Sequence, residues 1–540
     1  MKFAFMLFLL MPLTASAQVP ISEARKMKSG KTVTVAGHVT ATFGDLAFIQ
    51  DGGGAIAIYG VRVNIDDSIS ITGKLSKFNS LMEIVADSVR NFGQKPPIVP
   101  RLVDRIADHE AELVHIENVN IEPQGIFFYP QRAGILIHDN DTIHYWIDEN
   151  TDIPGYPIPG TSSITGVVSR YGNQFQILPR SHIDVDGLHQ TGPSANSYFK
   201  VMNWNLEFFG APKYGPSNDS LQVSNVAAII NYTQPDIVAL QEVSNDEAFR
   251  GLLKLTPGFE GRCSNRYSYS FDPSGDFPPQ KLCFVYRSAT VSVVREKILF
   301  QKLFDNDPSE MFSSGRLPYL LEVDALQHRL SLINIHAKSG ADESDLVRRA
   351  SDARILKDSI DQYYNDKQFI LLGDLNDDLD QSIVADHESP YSMFLDDYNC
   401  VSKSLSEAGW HSTISYDDMI DHQIISSPMT DFHVSTRIVN VFGIVPLYGK
   451  TTSDHLPVMS EFDLTKLITA VDDDQIPIVF PNPTCDELWF PAGSDITVIN
   501  SFGEIIIKKQ GACPPILLGE YAPGLYCVVL KDQLVRIIRN

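Results

Sequence analysis

The feature that most constrains the fold is an alternation of short apolar runs with amphipathic helical segments between residues 198 and 463. Four apolar runs have the length of buried strands. They lie at residues 237–240, 282–285, 330–335 and 369–372. Between them, residues 223–230 and 346–360 carry apolar side chains at helical spacing. A sheet of this kind must be covered by helices, so the sequence predicts an α/β domain with a two-layer sheet core and outer helices.

Polar side chains cluster where the predicted strands of this region end. The clusters are Asn205-Leu206-Glu207, Gln241-Glu242, His336, Asp374-Leu375-Asn376, Asp421-His422 and Ser453-Asp454-His455-Leu456-Pro457. Taken singly, each is also compatible with a turn cap or a structural histidine. Because active sites of open α/β folds lie beyond the carboxyl ends of strands, the whole set indicates a catalytic site.

The order of these motifs resembles the endonuclease/exonuclease/phosphatase superfamily. That superfamily includes deoxyribonuclease I-like enzymes, abasic-site endonucleases, inositol polyphosphate 5-phosphatases and neutral sphingomyelinases. The resemblance covers residues 200–463 and rests on Asn-Leu-Glu, Leu-Gln-Glu, Gly-Asp-Leu-Asn and Ser-Asp-His-Leu-Pro. It implies a four-layer α/β sandwich as the catalytic domain, over residues 198–463.

The resemblance also implies roles for the residues of these motifs. For a divalent metal, Mg²⁺ or alternatively Mn²⁺ or Ca²⁺, the implied ligands are Asn205, Glu207, Glu242 and Asp454, with Glu242 the principal one. The residues implied to bind the substrate phosphate are Asn205, Arg316 and Asn376. The implied catalytic residues are His336, Asp374, Asn376, Asp421 and His455, with Asp421 paired to His455.

The residue types fit this chemistry without the resemblance. A hard divalent cation prefers carboxylate and amide oxygens, and it screens the charge of a phosphodiester. A histidine held by a carboxylate can move a proton near neutral pH. No serine or cysteine nucleophile is suggested, so we expect direct attack by water. The sequence departs from the deoxyribonuclease I-like pattern at Gln280, where a carboxylate partner of His336 is expected, and this puts the role of His336 in question.

Two segments of short predicted strands precede this domain. In residues 18–95 the strands are predicted at 32–39, 46–50, 55–59, 68–75 and 81–85. Residues 96–186 repeat the plan, because Ser-Ile-Thr-Gly at 70–73 returns 93 residues later at 163–166. We therefore predict two tandem all-β, five-stranded barrels that resemble OB folds in pattern and spacing. Residues 187–197 and 464–475 read as linkers.

OB folds often bind single strands by stacking bases on aromatic side chains. The candidates in the two barrels are Phe43, Phe48, Tyr59, Phe78, Tyr145, Trp146 and Tyr171. The alternatives are that most of these fill the barrel interiors, or that the barrels serve positioning or adhesion.

The composition limits the partners of the chain. Hydrophobic residues make up 43% of it, which excludes a wholly disordered protein. With 43 basic and 67 acidic residues the net charge is −24, which disfavours binding of DNA by a broad basic surface. An acidic enzyme can still act on phosphate esters if a metal ion and a few arginines bring the substrate in. We expect a monomer.

The N-terminus predicts export. Lys2, an apolar run over residues 3–13 and Ala15-Ser16-Ala17 form the pattern of a secretory signal peptide over residues 1–17. The mature chain would have no membrane-spanning helix and would reach an oxidising compartment, the periplasm and then the cell surface or medium. Cys263 and Cys283 are twenty residues apart and could pair, although free thiols are equally compatible with the sequence.

The last segment, residues 476–540, is predicted to be a small β-sandwich. It resembles a type IX secretion sorting domain of secreted Bacteroidetes proteins. The match lies in the Pro-Asn-Pro at 481–483, the Asn-Ser-Phe-Gly at 500–503 and the Gly-Leu-Tyr at 524–526. The resemblance implies the type IX machinery as a partner, with the Asp-rich residues 472–474 as a plausible cleavage zone.

Three functions remain open at this point. The first is a secreted, divalent-metal-dependent nuclease that hydrolyses phosphodiesters of extracellular DNA, or of RNA. The second is a phosphatase or phospholipase C-like phosphodiesterase of the same superfamily, acting on inositol phosphates or phospholipids. The third is a non-catalytic surface protein whose barrels bind a glycan or a protein.

Overall fold

The computed structural model describes residues 18–139, 141–189, 198–270, 277–305, 311–465, 484, 486–490, 492–501, 503–530 and 533–539. These residues form two compact units that divide after Leu464. The predicted signal peptide, most of both predicted linkers and the Pro-Asn-Pro motif lie outside the described residues. No helix in the described part of the chain is long and apolar enough to cross a membrane.

The N-terminal region contains a closed five-stranded barrel with strand order β1-β2-β3-β5-β4. The elements are α1 (Ile21–Ala24), β1 (Thr32–Phe43), β2 (Leu46–Gln50), β3 (Ala55–Tyr59), β4 (Asp67–Phe78) and β5 (Leu81–Gln94). Side chains alternate between buried and partly exposed along β4, and isoleucine and valine side chains fill the interior. The predicted five-stranded barrel is therefore confirmed for this region.

A second set of strands follows, in the order β10-β11-β9-β8-β7-β6, and β10 also pairs with β7. The strands are β6 (Arg101–Leu102), β7 (Leu113–Glu122), β8 (Arg132–His138), β9 (Asp141–Ile147), β10 (Thr161–Tyr171) and β11 (Gln174–Leu178). The β10–β7 pairing joins five of the six strands into a ring, which we call the second barrel.

The repeated Ser-Ile-Thr-Gly sequence has a packing reason in both copies. A Cβ added to Gly73 on β4 would lie 2.2 Å from the carbonyl oxygen of Val85. A Cβ added to Gly166 on β10 would lie 2.5 Å from the carbonyl oxygen of Leu178. Glycine is required at both places because a neighbouring backbone crosses too closely for a side chain.

The seven aromatic candidates of the barrels divide into two groups. Phe43, Phe48 and Tyr145 are buried, and Trp146 is partly buried against the cluster that contains the two phenylalanines. The exposed ones are Tyr59, Phe78 and Tyr171, of which the last two are each 63% exposed. Only three of the seven are therefore accessible for stacking.

The α/β domain contains two six-stranded sheets. The first has the order β14-β15-β13-β12-β23-β22 and the second β16-β17-β18-β19-β21-β20. The strands are β12 (Phe199–Phe209), β13 (Ile237–Val243), β14 (Phe259–Cys263), β15 (Lys281–Arg287), β16 (Val291–Ile298), β17 (Tyr319–Ala325), β18 (His328–His336), β19 (Gln368–Asp374), β20 (Asn399–Cys400), β21 (Asp421–Ile425), β22 (His433–Ile438) and β23 (Val458–Phe462). The helices are α2 (Asp219–Thr233), α3 (Asp246–Leu255), α4 (Gln301–Phe304), α5 (Phe312–Gly315), α6 (Glu343–Tyr363), α7 (Lys403–Glu407) and α8 (Tyr448–Thr451).

The two sheets pack face to face through a continuous apolar core, which includes Ala239 of the first sheet and Leu332 and Leu372 of the second. Helices α2 and α3 cover the outer face of the first sheet. Helix α6 covers the outer face of the second, with Leu356 and Ile360 packed against it. Within each sheet one pair of neighbouring strands is parallel, β12 with β13 and β18 with β19, so their carboxyl ends lie side by side.

Cys263 and Cys283 form a disulfide that joins β14 to β15 directly across their register. The bond resolves the alternative that the sequence left open for this pair. It also closes the segment between the two strands, which carries Ser268 and Gln280 to the site described below.

The C-terminal unit is an all-β structure in its described part. It has a four-stranded sheet of order β26-β25-β28-β29 and a two-stranded sheet of β24 and β27. The strands are β24 (Glu487–Leu488), β25 (Ser494–Asn500), β26 (Ile505–Ala512), β27 (Ile516–Leu517), β28 (Gly524–Leu530) and β29 (Gln533–Arg539). A small apolar core includes Val498, Val528 and Ile537.

Candidate active site

The strand ends of the α/β domain open into one cavity of about 820 Å³, which we call the catalytic cavity. Eight of the ten predicted site residues line it. They are Asn205, Glu242, Arg316, His336, Asp374, Asn376, Asp454 and His455. Of the other two, Glu207 donates its backbone N–H to Asn205 at 3.0 Å, and Asp421 contacts His455 from behind. The structure therefore brings the whole predicted set together.

The backbone is strained where these strands end. Glu207, Phe208, Glu242 and Asn376 all have left-handed φ, between 49° and 59°. Such conformations cost on the order of 1 kcal/mol or more for residues other than glycine, and they cluster at functional sites. The neighbouring Gly373 has φ 141°, and a Cβ there would lie 2.0 Å from the carbonyl oxygen of Ile335. The turns thus aim the polar side chains of both sheets into the same space.

His455 and Asp421 form a hydrogen-bonded pair in the wall of the catalytic cavity. Nδ1 of His455 lies 2.7 Å from Oδ2 of Asp421, and its Nε2 lies 3.9 Å from Oδ2 of Asp374. Burial alone would lower the pKa of His455, but the nearby carboxylates, Asp421 foremost, outweigh it and raise that pKa well above its usual value. The arrangement suits a group that takes and returns a proton at Nε2.

Asp374 connects the two sheets at the bottom of the cavity. Its Oδ1 accepts from the backbone N–H of Asn376 at 2.9 Å, and its Oδ2 accepts from Nδ2 of Asn205 at 2.9 Å. Nε2 of His336 lies 3.3 Å from the same Oδ2. Burial raises the pKa of Asp374 to about 7, whereas burial and then the charge of Arg316 hold the pKa of His336 far below its usual value. His336 is therefore a neutral imidazole near neutral pH.

Three carboxylates, Glu207, Glu242 and Asp454, lie close enough together for their charges to interact. Burial, and then the charges of Asp454 and Glu242, raise the pKa of Glu207 to about 8. Burial also raises the pKa of Glu242. Oε2 of Glu207 is buried with no hydrogen-bond partner, which is the state expected of an oxygen that a cation would satisfy.

The described residues contain no group of three or more His, Cys, Asp or Glu side chains arranged to hold a metal by themselves. Mg²⁺ usually keeps several water ligands and needs only one or two protein carboxylates. Glu242, Glu207 and the amide oxygen of Asn205 fit that kind of ion, with Asp454 beside them. The residues present thus fit a hydrated divalent cation and would not form an all-protein cage.

Arg316 lines the catalytic cavity and is held there by four hydrogen bonds to the protein. Nη1 of Arg316 donates to Oε1 of Gln280 at 2.6 Å, and its Nη2 donates to the carbonyl of Ala337 at 2.6 Å and to Oγ of Ser313 at 2.7 Å. Nε donates to the carbonyl of His336 at 3.2 Å. Four of its five N–H groups are thus engaged, which leaves one on Nη1 for a phosphate.

Gln280 was expected to stand beside His336 in place of a carboxylate. Its Oε1 instead accepts from Arg316, and it accepts from Oγ of Ser268 at 3.3 Å. Nδ1 of His336 is buried without a partner. The Oε1 atom of Gln280 is thus engaged by Arg316 and Ser268, and this glutamine does not hold the His336 ring.

Several residues of the catalytic cavity were not identified from the sequence. They are Phe208, Ser268, Tyr269, Phe277, Lys338, Arg348, Tyr416 and Asp418. Lys338 follows His336 by two residues, so its place after a strand end was a usable signal. Arg348 lies on α6 and Tyr416 in a long connection, where no motif marks them.

Comparison with known proteins bears on residues 202–455, which match the Endonuclease/Exonuclease/phosphatase family. This supports an endonuclease/exonuclease/phosphatase superfamily domain in that part of the chain. Members of the superfamily are hydrolases that act on phosphoester bonds and generally use divalent metals. No curated protein matches the chain.

Similar solved structures cover about half of the chain. The endonuclease/exonuclease/phosphatase of Bacteroides vulgatus is 16% identical, covers 49% of this chain and 98% of its own, and has a TM-score of 0.37. The mannosyl-6-phosphatase of Bacteroides thetaiotaomicron is 15% identical, with coverage of 49% and 98% and a TM-score of 0.36. The human Nocturnin catalytic domain is 16% identical, with coverage of 49% and 94% and a TM-score of 0.35.

Proposed function

We propose that the α/β domain hydrolyses phosphodiesters by direct attack of water, with a divalent cation and with the Asp421–His455 pair as the proton-transfer group. The observation that carries the proposal is the 2.7 Å contact of Nδ1 of His455 with Asp421, while Nε2 faces the same cavity as Asp374 and Glu242. A bound cation would screen the phosphate charge and stabilise the leaving oxygen.

The other side chains of the catalytic cavity have separate roles in this proposal. Asp421 fixes the orientation of the His455 ring and stabilises its charged form. Asp374, held by Asn205 and Asn376, orients the attacking water. The neutral His336 can donate a hydrogen bond to a phosphate oxygen from Nε2, and Arg316 can add one more from Nη1.

Nucleic acid, DNA first and RNA second, is the substrate that we propose. The support is an aromatic cluster at the cavity, where the rings of Phe208 and Phe277 are 6.0 Å apart and those of Tyr269 and Phe277 5.5 Å apart. Aromatic side chains beside a phosphate site suit bases on either side of the cleaved bond. We further propose that the signal peptide and a type IX sorting domain export the enzyme, as a monomer, to the cell surface or medium.

A second candidate is a small phosphoester, such as an inositol phosphate or a phospholipid headgroup. The observation that favours it is the engagement of Arg316, which leaves that side chain a single N–H for a phosphate. A non-catalytic surface protein stays the third candidate.

The test incubates the mature protein with plasmid DNA, single-stranded DNA, RNA and inositol phosphates, with and without Mg²⁺. We expect metal-dependent cleavage of a polymer that His455→Ala abolishes with the fold intact, and that Glu242→Gln weakens by raising the Mg²⁺ requirement. Release of phosphate from the small substrates alone would favour the second candidate. Equal rates for wild type and His455→Ala would refute the assignment of His455.

A further inference from the structure

A second cavity, of about 600 Å³, lies between the second barrel and the α/β domain, and we call it the interdomain groove. The barrel side is formed by residues 149–152 with Gln131 and Tyr156, and residues 442–450 form the facing side. Ser415 and Asp454 line both this groove and the catalytic cavity. The two cavities are therefore neighbours that share these two lining residues.

The groove is a built feature because several contacts fix its two sides. The hydroxyl of Tyr129 donates to the carbonyl of His411 at 2.8 Å and accepts from its N–H at 3.1 Å. Nη1 of Arg132 lies 3.1 Å from Oδ1 of Asp417. Nδ2 of Asn440 donates to the carbonyl of Gly155 at 2.6 Å.

Aromatic packing supports the same junction. The ring of Phe127 on the barrel side lies 4.9 Å from Trp410 and 5.7 Å from Phe442 of the α/β domain. Phe127 is buried in a core that contains residues of both parts. The width of the groove is therefore set by a packed interface, as in pre-formed binding sites.

The charges of the groove disfavour an anionic occupant. Its lining contains the carboxylates of Glu149, Asp152 and Asp454 but a single cationic side chain, Lys450. Lys450 is already paired with Glu149, and Asp152 accepts from His182 at 2.6 Å. Because the lining has three carboxylates and one lysine, a second phosphate of a substrate would meet a net negative charge there.

The neutral part of the lining suits a ring that has both an apolar face and hydroxyl groups. Tyr156 and Phe442 contribute aromatic surface, and Gln131, Asn150 and Thr151 contribute amide and hydroxyl groups. A site built to hydrogen-bond hydroxyls discriminates strongly against ligands that lack them.

We infer that the interdomain groove binds an uncharged, hydroxyl-bearing ring, a sugar or a cyclitol, that is joined to the phosphoester held in the catalytic cavity. The part of the inference that joins the ring to a phosphoester rests on the proposed function. The part that places a ring in the interdomain groove does not. The inference also limits how a nucleic acid substrate could bind. Only a terminal sugar of the strand could enter the groove, and the other phosphates would have to lie outside it.

The first experiment measures binding without turnover. Saturation-transfer NMR and calorimetry on the full mature chain use the methyl α-glycosides of glucose, mannose and galactose together with myo-inositol. We expect at least one to bind the wild type, and Gln131→Ala with Asn150→Ala to weaken its Kd at least fivefold. The control variant is Gln94→Ala with Asn399→Ala, two amides that are also exposed and lie outside the groove. No binding by any probe, or equal loss in both variants, overturns the inference.

The second experiment tests the charge argument and keeps the two proposals apart. The ring that binds is compared with the same ring carrying an additional phosphate, and we expect the added phosphate to weaken Kd at least tenfold. Glu149→Gln frees Lys450 from its ion pair, so the ratio of the two Kd values, with and without the added phosphate, should become smaller. An unchanged ratio would contradict the assignment of this effect to the negative charge of the lining. If the protein hydrolyses a substrate in a reaction that depends on His455 but binds no ring, only the inference about the interdomain groove is overturned. If it binds a ring but hydrolyses no substrate, only the proposed function is overturned.

Discussion

Replacing Tyr129 with phenylalanine removes a single hydroxyl group from the contact between the second barrel and the α/β domain. Tyr129 is buried, and its ring lies 4.7 Å from Phe127 and 5.0 Å from the ring of His411. Phenylalanine keeps these ring contacts. The substitution therefore isolates the two hydrogen bonds that the hydroxyl makes with the backbone of His411.

The magnitude follows from the two backbone groups that lose their partner. A hydrogen bond contributes about 1 kcal/mol net, and a polar group left unsatisfied when buried costs roughly 1–3 kcal/mol. His411 is only partly buried, so water can reach part of this site. We therefore expect a loss of about 2 kcal/mol in the free energy of unfolding, which corresponds to a melting temperature lower by roughly 2 °C for a cooperative unit of this size.

Activity should fall as well, because His411 begins the segment that supports the catalytic pair. Oγ of Ser412 accepts from the N–H groups of Ile420 at 2.9 Å and of Asp421 at 3.0 Å. A misplacement worth about 1 kcal/mol at Asp421 would lower kcat roughly fivefold. The assay is thermal and urea unfolding followed by fluorescence, together with kcat and KM on the substrate that the wild type cleaves.

The matched control is Tyr171→Phe, which removes a hydroxyl from a tyrosine of the same barrel that is 63% exposed. This control should unfold like the wild type. If Tyr129→Phe and Tyr171→Phe have the same melting temperature and kcat, the second barrel does not support the catalytic segment in the way described.

Three further predictions concern the α/β domain. Asp421→Asn should lower kcat roughly 10²–10⁴-fold with unchanged circular dichroism, and a loss under threefold would contradict the role of the pair. Cys263→Ala with Cys283→Ala should cost about 3 kcal/mol in urea unfolding, since the bond closes a loop of twenty residues; reduction of the wild type should give the same loss. Burial lowers the pKa of His422 to about 4, so its neutral form is the native one. The contribution of neutral His422 to the free energy of unfolding is complete above the pKa of the unfolded state, about 6.5. It is lost as the pH falls toward 4, and the loss is about 3 kcal/mol. His422→Gln should lack this slope, and an identical slope in the variant would show another origin.

The strands could be predicted from the sequence where a hydrophobic pattern marks their residues. Strands β2 and β3 begin and end at the predicted residues, because glycine-rich turn signals bound the apolar run of each. Strand β5 was predicted to end at residue 85 but continues to Gln94. Its second half pairs with β4 while almost all its side chains are exposed, so backbone hydrogen bonds hold it and no apolar alternation marks it.

The site was predictable to the extent that its residues follow strands. Glu242 and Asp374 have a chemical type and a place after an apolar run that sequence alone displays, whereas His455 precedes strand β23 and is marked by the Ser-Asp-His-Leu-Pro motif. The partners of Arg316 depend instead on a turn in which Ser313 and Ser314 have left-handed φ of 53° and 60°. No sequence pattern specifies such a turn, and so the contact of Arg316 with Gln280 could not be foreseen.

The connections around His455 argue that the second barrel is part of the catalytic unit. Ser453 accepts from the N–H of His455 at 3.0 Å and donates to the carbonyl of Asn205 at 2.7 Å, which ties the histidine to strand β12, where the proposed cation ligands Asn205 and Glu207 lie. On the other side, the N–H of Ile414 donates to the carbonyl of Asp454 at 2.7 Å. Ile414 belongs to the segment that Tyr129 holds. A movement of the second barrel would therefore change both the width of the interdomain groove and the position of the Asp421–His455 pair. A barrel that was joined to the α/β domain by a linker alone could move without changing either.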